Sequence, residues 1–103
     1  MWILQTIEET GAPPHTFRLS AGAIKTIGRA TRADFIVDRV TVSRLHCRLT
    51  ADGDQMQVVD LDSTNGTFVN GARISQGTLA AGDRLRVGRV EFSVTRGSRA
   101  DDA

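Results

Sequence analysis

Apolar residues in this chain recur in short alternating runs cut by turn-forming residues. No stretch of ten or more keeps a helical period free of breakers. Trp2 to Ile7 reads as a first strand, ended by Gly11-Ala12-Pro13-Pro14. From His15 to Leu19 the alternation puts Phe17 and Leu19 on one face and Thr16 and Arg18 on the other. Ser20-Ala21-Gly22 turns the chain into Ala23 to Ile27, and Asp34 to Val37 forms a compact, buried run. Leu45 to Thr50 alternates again, with Leu45, Cys47 and Leu49 opposite His46, Arg48 and Thr50. Asp52-Gly53-Asp54 is a hairpin signal leading back into Met56 to Leu61. Thr67 to Val69 and Ala72 to Ile74 flank Asn70-Gly71, the strongest short hairpin signal in the chain. Leu85 with Val87, and Phe92 with Val94, mark two last strands joined around Gly88-Arg89. Many short strands, with a turn about every ten residues, predict an all-β sandwich or barrel.

At 103 residues the chain makes one domain with enough length for a core of its own. The final stretch from Gly97 to Ala103 is small, polar and charged and reads as a disordered tail, so the domain is expected over residues 1–96. A single cysteine, Cys47, excludes an internal disulfide framework, and two histidines without Cys pairs speak against structural zinc. The start Met1-Trp2-Ile3-Leu4 is interrupted by Gln5, Glu8 and Glu9, so no signal peptide or membrane span is expected, and the expected location is the cytoplasm. A formal net charge of +1 argues against non-specific nucleic-acid binding. Twelve of the thirteen basic residues are arginine, whose planar fork of donors suits carboxylate and phosphate.

The residues that do not belong in a core gather in three loops. Gly28-Arg29 closes an apolar run, Val42-Ser43-Arg44-Leu45-His46 precedes a strand, and Asp60 to Thr67 is rich in small hydroxyls, an amide and glycine. If these loops share one edge of the scaffold, Arg29, Ser43, Arg44, Thr64 and Asn65 would hold a phosphate and the peptide that carries it. A phosphate monoester has close to two negative charges and three strong acceptor oxygens. Arginine can bond two of those oxygens at once, a hydroxyl a third, and outward loop N–H groups can complete an anion cradle.

In order and spacing, Gly28-Arg29, Ser43-Arg44-Leu45-His46, Asp60 to Gly71, Leu79-Ala80-Ala81-Gly82-Asp83 and Val87-Gly88 resemble the forkhead-associated (FHA) domain family. Each motif is weak alone; the ordered set is specific and runs from about Trp2 to Thr95. The resemblance implies a two-sheet β-sandwich with its binding loops at one end. It also implies recognition of phosphothreonine in extended peptides, with no catalysis and no cofactor or metal. It assigns Arg29, Ser43, Arg44 and Thr64 to the phosphate and Asn65 to the peptide backbone. His46 becomes a brace of the loop, and Gly28, Gly66, Asn70 and Gly71 set loop shape. Arg32, Ala33 and Thr67 are the candidates for reading residues C-terminal to the phosphothreonine. The implied partner is a threonine-phosphorylated protein, either a Ser/Thr kinase substrate or the kinase itself; nucleic acid and membrane are not expected partners.

Other readings compete at several positions. His46 and Cys47 are adjacent, and neighbours on a strand point to opposite faces, so a nucleophile–base pair is not expected. Asp60, Asp62 and Asp83 stand at strand ends or turns, where Asp bonds backbone, rather than forming a cation site. Trp2 is expected to pack at the sandwich edge and His15 to be exposed. A rival function is a phosphate-independent scaffold or oligomerisation module that uses a sheet face, which an exposed apolar patch would favour.

Overall fold

In the computed structural model, residues 1–7 and 14–97 are described. Among them the chain forms strands β1 (Trp2–Thr6), β2 (Thr16–Leu19), β3 (Ile24–Gly28), β4 (Phe35–Ile36), β5 (Cys47–Ala51) and β6 (Met56–Asp60). These are followed by β7 (Thr67–Val69), β8 (Ala72–Ile74), β9 (Gln76–Leu79), β10 (Arg84–Val87) and β11 (Val90–Arg96). Six strands form one sheet in the order β2-β1-β11-β10-β7-β8, and five form the other in the order β4-β3-β5-β6-β9. All pairings are antiparallel except the short parallel contact of β4 with β3. Among the described residues no helix is long and apolar enough to cross a membrane.

The two sheets are held together by the side chains that the period-2 pattern turns inward. Trp2, Leu4, Leu85, Val87, Phe92 and Val94 come from the larger sheet and meet Ile27, Cys47, Leu49, Met56 and Val58 from the smaller one. Their partners in the ladders obey the same alternation: Leu4 lies across from Val94 and Leu85 across from Phe92. Trp2 is fully buried, on a strand with neighbours on both sides, and its indole N–H donates to the Asp52 carbonyl at 2.9 Å. At the Asn70-Gly71 hairpin both residues have positive φ, 50° and 87°, the combination a two-residue type I′ turn needs. Asn70 Oδ1 then accepts from the Arg84 N–H, and Asp83 Oδ2 accepts from the Ala80 N–H, so both polar side chains serve turns.

Several expectations are corrected by the fold. Strand β9 was not legible, because Gln76-Gly77-Thr78-Leu79 carries one large apolar residue; it exists as an edge because β6 offers it an open ladder. The run from Asp34 to Val37 is not a buried strand: Val37 is buried, yet Ile36 is 41% exposed and only Phe35–Ile36 pair with β3. His46 does not share the solvent face of Arg48. It precedes β5 and folds inward to complete burial. His15 is half-buried instead of exposed, with its ring stacked 5.5 Å from that of Phe17. Most of the expected break at Gly11-Ala12-Pro13-Pro14, and the tail beyond Gly97, lie outside the described residues.

Phe92 is central to this packing, fully buried and 5.9 Å from the Phe17 ring, which itself stacks on Phe35 at 4.4 Å. Phe92→Ala should lower the unfolding free energy by about 3–5 kcal/mol. Urea denaturation followed by Trp2 fluorescence measures it.

Candidate functional site

Where β3 ends, β5 begins and β6 ends, the ladder pairs Ile27 with Cys47 and Cys47 with Asp60. The loops 29–34, 37–46 and 61–66 therefore leave the sandwich at the same end, beside the β10–β11 turn at Gly88-Arg89. Backbone bonds tie them. Arg29 N–H donates to the Ser43 carbonyl at 2.9 Å, Ala30 N–H to that of Arg44 at 3.1 Å, and Leu61 N–H to that of His46 at 2.9 Å. Gly88 N–H donates to the Gly66 carbonyl at 3.0 Å and links the second sheet to the same end.

Glycine is required where these backbones touch. A Cβ on Gly28 would lie 2.0 Å from the Arg44 carbonyl oxygen, inside any allowed contact. The chain can pass Arg29 close to Ser43 only because position 28 has no side chain.

The expected ligand residues converge. Ser43 Oγ accepts the Thr64 N–H at 3.0 Å, which fixes the hydroxyl and leaves its proton free to donate elsewhere. Arg29 Nε donates to the Val42 carbonyl at 3.0 Å, so the guanidinium is anchored at one nitrogen while both Nη groups remain for an acceptor. Asn65 Nδ2 donates to the Thr41 carbonyl at 2.9 Å, leaving its Oδ1 as an acceptor. Arg29, Arg44, Thr64 and Asn65 are all exposed. Two cationic side chains, that of Arg29 anchored at its Nε, two hydroxyls and an amide thus share one rim. Ser43's own N–H is turned inward, so it does not belong to an outward anion cradle.

Beneath the rim lies His46. Its Nδ1 accepts the Ser43 N–H at 3.0 Å, and so its Nε2 carries the proton and donates to the Gly66 carbonyl at 2.8 Å. The imidazole joins the loop of Ser43 to the loop of Thr64 and Asn65. Burial holds it neutral and lowers its pKa; the Gly66 bond and the charge of Asp60 oppose this and are outweighed. Asp60 organises the third loop. Its Oδ1 accepts from Ser63 Oγ at 2.5 Å and Thr67 Oγ1 at 2.7 Å, and its Oδ2 accepts the Ser63 N–H at 3.1 Å. Burial alone would raise this carboxyl, but those bonds win and hold it below the usual carboxylate range. Ser63 Oγ in turn accepts the Gly66 N–H. Cys47 is sealed in the core, where burial pushes the thiol far up, away from any nucleophilic role.

Two specificity candidates are overturned. Thr67 is fully buried and its hydroxyl is spent on Asp60, so it cannot read a peptide side chain. Ala33 is 6% exposed and its N–H closes a turn onto Ala30. Arg32 stays exposed. What sequence reasoning missed is Thr41. Its carbonyl holds Asn65 and its hydroxyl accepts the Arg89 N–H at 3.1 Å. A threonine two places before Ser43 gave no local signal, since both partners are distant in sequence.

A β-sandwich that carries its polar constellation on loops at one end is the class defined by these observations. The sequence profile of the FHA domain matches residues 25–88, and the chain belongs to that family. It is 38% identical over 76 residues to the glycogen accumulation regulator GarA of Mycolicibacterium smegmatis, covering 74% of this chain and 48% of that protein. It is 39% identical over 72 residues to an oxoglutarate dehydrogenase inhibitor of Corynebacterium jeikeium, covering 70% of this chain and 50% of the other. This chain thus spans about half the length of the curated relatives it matches. Among solved structures, the FHA domain of Mycobacterium tuberculosis FhaA, seen with the intracellular domain of a partner protein, superposes with a TM-score of 0.79. The two are 37% identical, with 91% of this chain and 99% of that one covered. Mycobacterium tuberculosis EmbR in complex with a low-affinity phosphopeptide gives a TM-score of 0.76 at 30% identity, with 95% of this chain and 25% of EmbR covered.

The buried neutral imidazole makes stability pH-dependent in a set window. As pH falls through about 6.5 the unfolded chain protonates His46 while the folded chain does not. Stability should therefore be full above that pH and decline below it, by at most about 1.4 kcal/mol per pH unit, until the lowered folded value is reached. The Asp60 contribution is lost only at lower pH, as the medium passes through its depressed folded value. Urea midpoints between pH 8 and 5 should fall for the native chain and fall less for His46→Gln. NMR of the His46 ring should show it staying neutral where a free imidazole titrates.

Proposed function

We propose that the chain is a phosphothreonine-dependent protein–protein interaction module, an adaptor in Ser/Thr kinase signalling with no catalysis of its own. The observation that carries this reading is the set of three loops bonded to one another, with Arg29, Arg44, Ser43, Thr64 and Asn65 on one rim. In it, the Nη groups of Arg29 and the guanidinium of Arg44 bond phosphate oxygens, and the Ser43 hydroxyl donates to a third. Thr64 lies against the phosphate and the threonine methyl, and Asn65 bonds the peptide backbone. His46, Gly28 and Gly66 hold these groups in place, and Asn70-Gly71 shapes its hairpin.

The partner is a threonine-phosphorylated protein, as kinase substrate or as the kinase itself, met in the cytoplasm. Residues 1–96 act as the binding domain and 97–103 as its tail. The complexes in which relatives occur support this: EmbR binds a phosphopeptide, and a solved relative 36% identical to this chain comes from work on phosphothreonine-dependent FHA domain interactions. The rival use of a sheet face as a scaffold finds little support. The exposed apolar residues Ile24 and Ile36 lie at opposite ends of the β3–β4 edge, and Val40 stands alone on a loop.

Because Arg29, Ser43 and Asn65 are hydrogen-bonded in place before any ligand arrives, less ordering cost is left to binding. Each charged hydrogen bond to the phosphate then adds roughly 1.5–3 kcal/mol, about tenfold to over a hundredfold in affinity. The threonine methyl adds about 0.8 kcal/mol if buried, about fourfold over phosphoserine.

Calorimetric titration with a phosphothreonine peptide, its phosphoserine analogue and the unmodified peptide tests the reading. The phosphothreonine form should bind most tightly and the unmodified form not measurably; equal affinity for all three would overturn it. Arg29→Ala should weaken phosphopeptide binding by about tenfold to over a hundredfold, with an unchanged circular dichroism spectrum.

A further inference from the structure

The solvent face of the six-stranded sheet carries a run of arginines that starts at the rim. Phe68 on β7 lies across from Arg73 on β8 and from Arg86 on β10. The Arg86 guanidinium sits 3.8 Å from the centre of the Phe68 ring, and its Nη1 donates to the Gly88 carbonyl at 3.3 Å. Arg73 reaches back toward the site loop: a Cβ built on Gly66 would lie 2.8 Å from its Nε and 3.0 Å from the Phe68 ring. Arg89 follows Gly88 and donates its N–H to Thr41, the residue whose carbonyl holds Asn65. Arg73, Arg86 and Arg89 therefore continue from the Asn65 side of the site onto the sheet.

None of the three is held in an ion pair among the described residues. Glu91 lies across from Arg86 in register but its ion pair, at 3.9 Å, is with Arg84. No carboxylate among the described residues pairs with Arg73, Arg86 or Arg89. Arg86 has a structural task as the cover of Phe68; Arg73 and Arg89 are exposed and have none of that kind. Arg73 and Arg86, kept on one sheet face on either side of Phe68, with Arg89 in the adjoining turn, are complementary to an anionic segment.

We propose that Arg73, Arg86 and Arg89 form a docking surface for acidic residues of the same phosphorylated partner, on the side where its chain passes Asn65. The proposal rests on the phosphothreonine reading of the rim. An acidic peptide is favoured over nucleic acid because the whole chain carries a net charge of only +1. Contiguity favours it as well, since the arginines begin beside Asn65, the residue proposed to hold the peptide backbone. The surface would add on-rate and selectivity among phosphothreonine sites more than raw affinity.

The test uses phosphothreonine peptides with acidic, alanine or lysine residues on either side of the phosphothreonine, titrated into the native chain and into an Arg73→Gln/Arg86→Gln double variant. Acidic residues on one side should strengthen binding by about tenfold over lysine at low salt, with the advantage shrinking as salt rises. The double variant should cut that ratio to about twofold or less while binding the alanine-flanked phosphopeptide as the native chain does. Arg89→Gln alone should cause a smaller loss in the same direction. Phosphate-dependent binding indifferent to flanking charge would overturn this proposal and leave the rim reading standing. Equal weakening of every peptide in the double variant would also overturn it, by making the arginines structural. Binding to anionic vesicles or RNA, lost in the variant without any flank preference, would assign the surface to another ligand. Absence of any phosphate dependence would remove both readings together.

Discussion

One imidazole, shut away from water and held in a single tautomer, sets the shape of the binding end. Irregular loops expose backbone N–H and C=O groups that no sheet ladder can satisfy, and each group left buried without a partner is costly. His46 answers this for two loops at once: it takes the Ser43 N–H and gives its own proton to the Gly66 carbonyl. The same Gly66 carbonyl also receives the Gly88 N–H from the opposite sheet. Removing this ring would release Ser43, the hydroxyl that positions Thr64, and the loop that presents Asn65.

Around that ring the loops are specified by contacts too close for ordinary side chains. Gly28 lets β3 run against the Arg44 carbonyl, and Gly88, at φ 62°, leaves no room for a Cβ beside the Thr41 carbonyl, 2.3 Å away. Asp60 gathers Ser63 and Thr67 and makes the third loop an Asp-centred turn. The rim is thus pre-set by the scaffold instead of being assembled by its ligand. That suits recognition of a small, highly charged group on a flexible peptide, where little ordering cost can be spared.

Much of this was legible from the chain read alone. The strand pattern of Trp2 to Ile7, Met56 to Leu61 and Phe92 to Val94 declared an all-β sandwich because period-2 alternation is a local property. The Asn70-Gly71 turn was equally plain, because both residues tolerate positive φ. The loop motifs named Arg29, Ser43, Arg44, Thr64 and Asn65, since polar residues so unsuited to a core must serve turns or ligands. Local pattern failed at β9, whose single large apolar residue left no alternation to read, and at His46, placed on the solvent face by counting along a strand that begins one residue later.

By itself, then, the amino-acid order determined the architecture and the roster of rim residues, because alternation and turn chemistry act over a few positions. Only the tertiary structure decided which of those residues face outward. It buried Thr67 beside Asp60, closed Ala33 into a turn, and enlisted Thr41 to hold Asn65 twenty-four positions away. Burial and long-range hydrogen bonds depend on which strands become neighbours, and that is settled by the packing of two sheets as a whole.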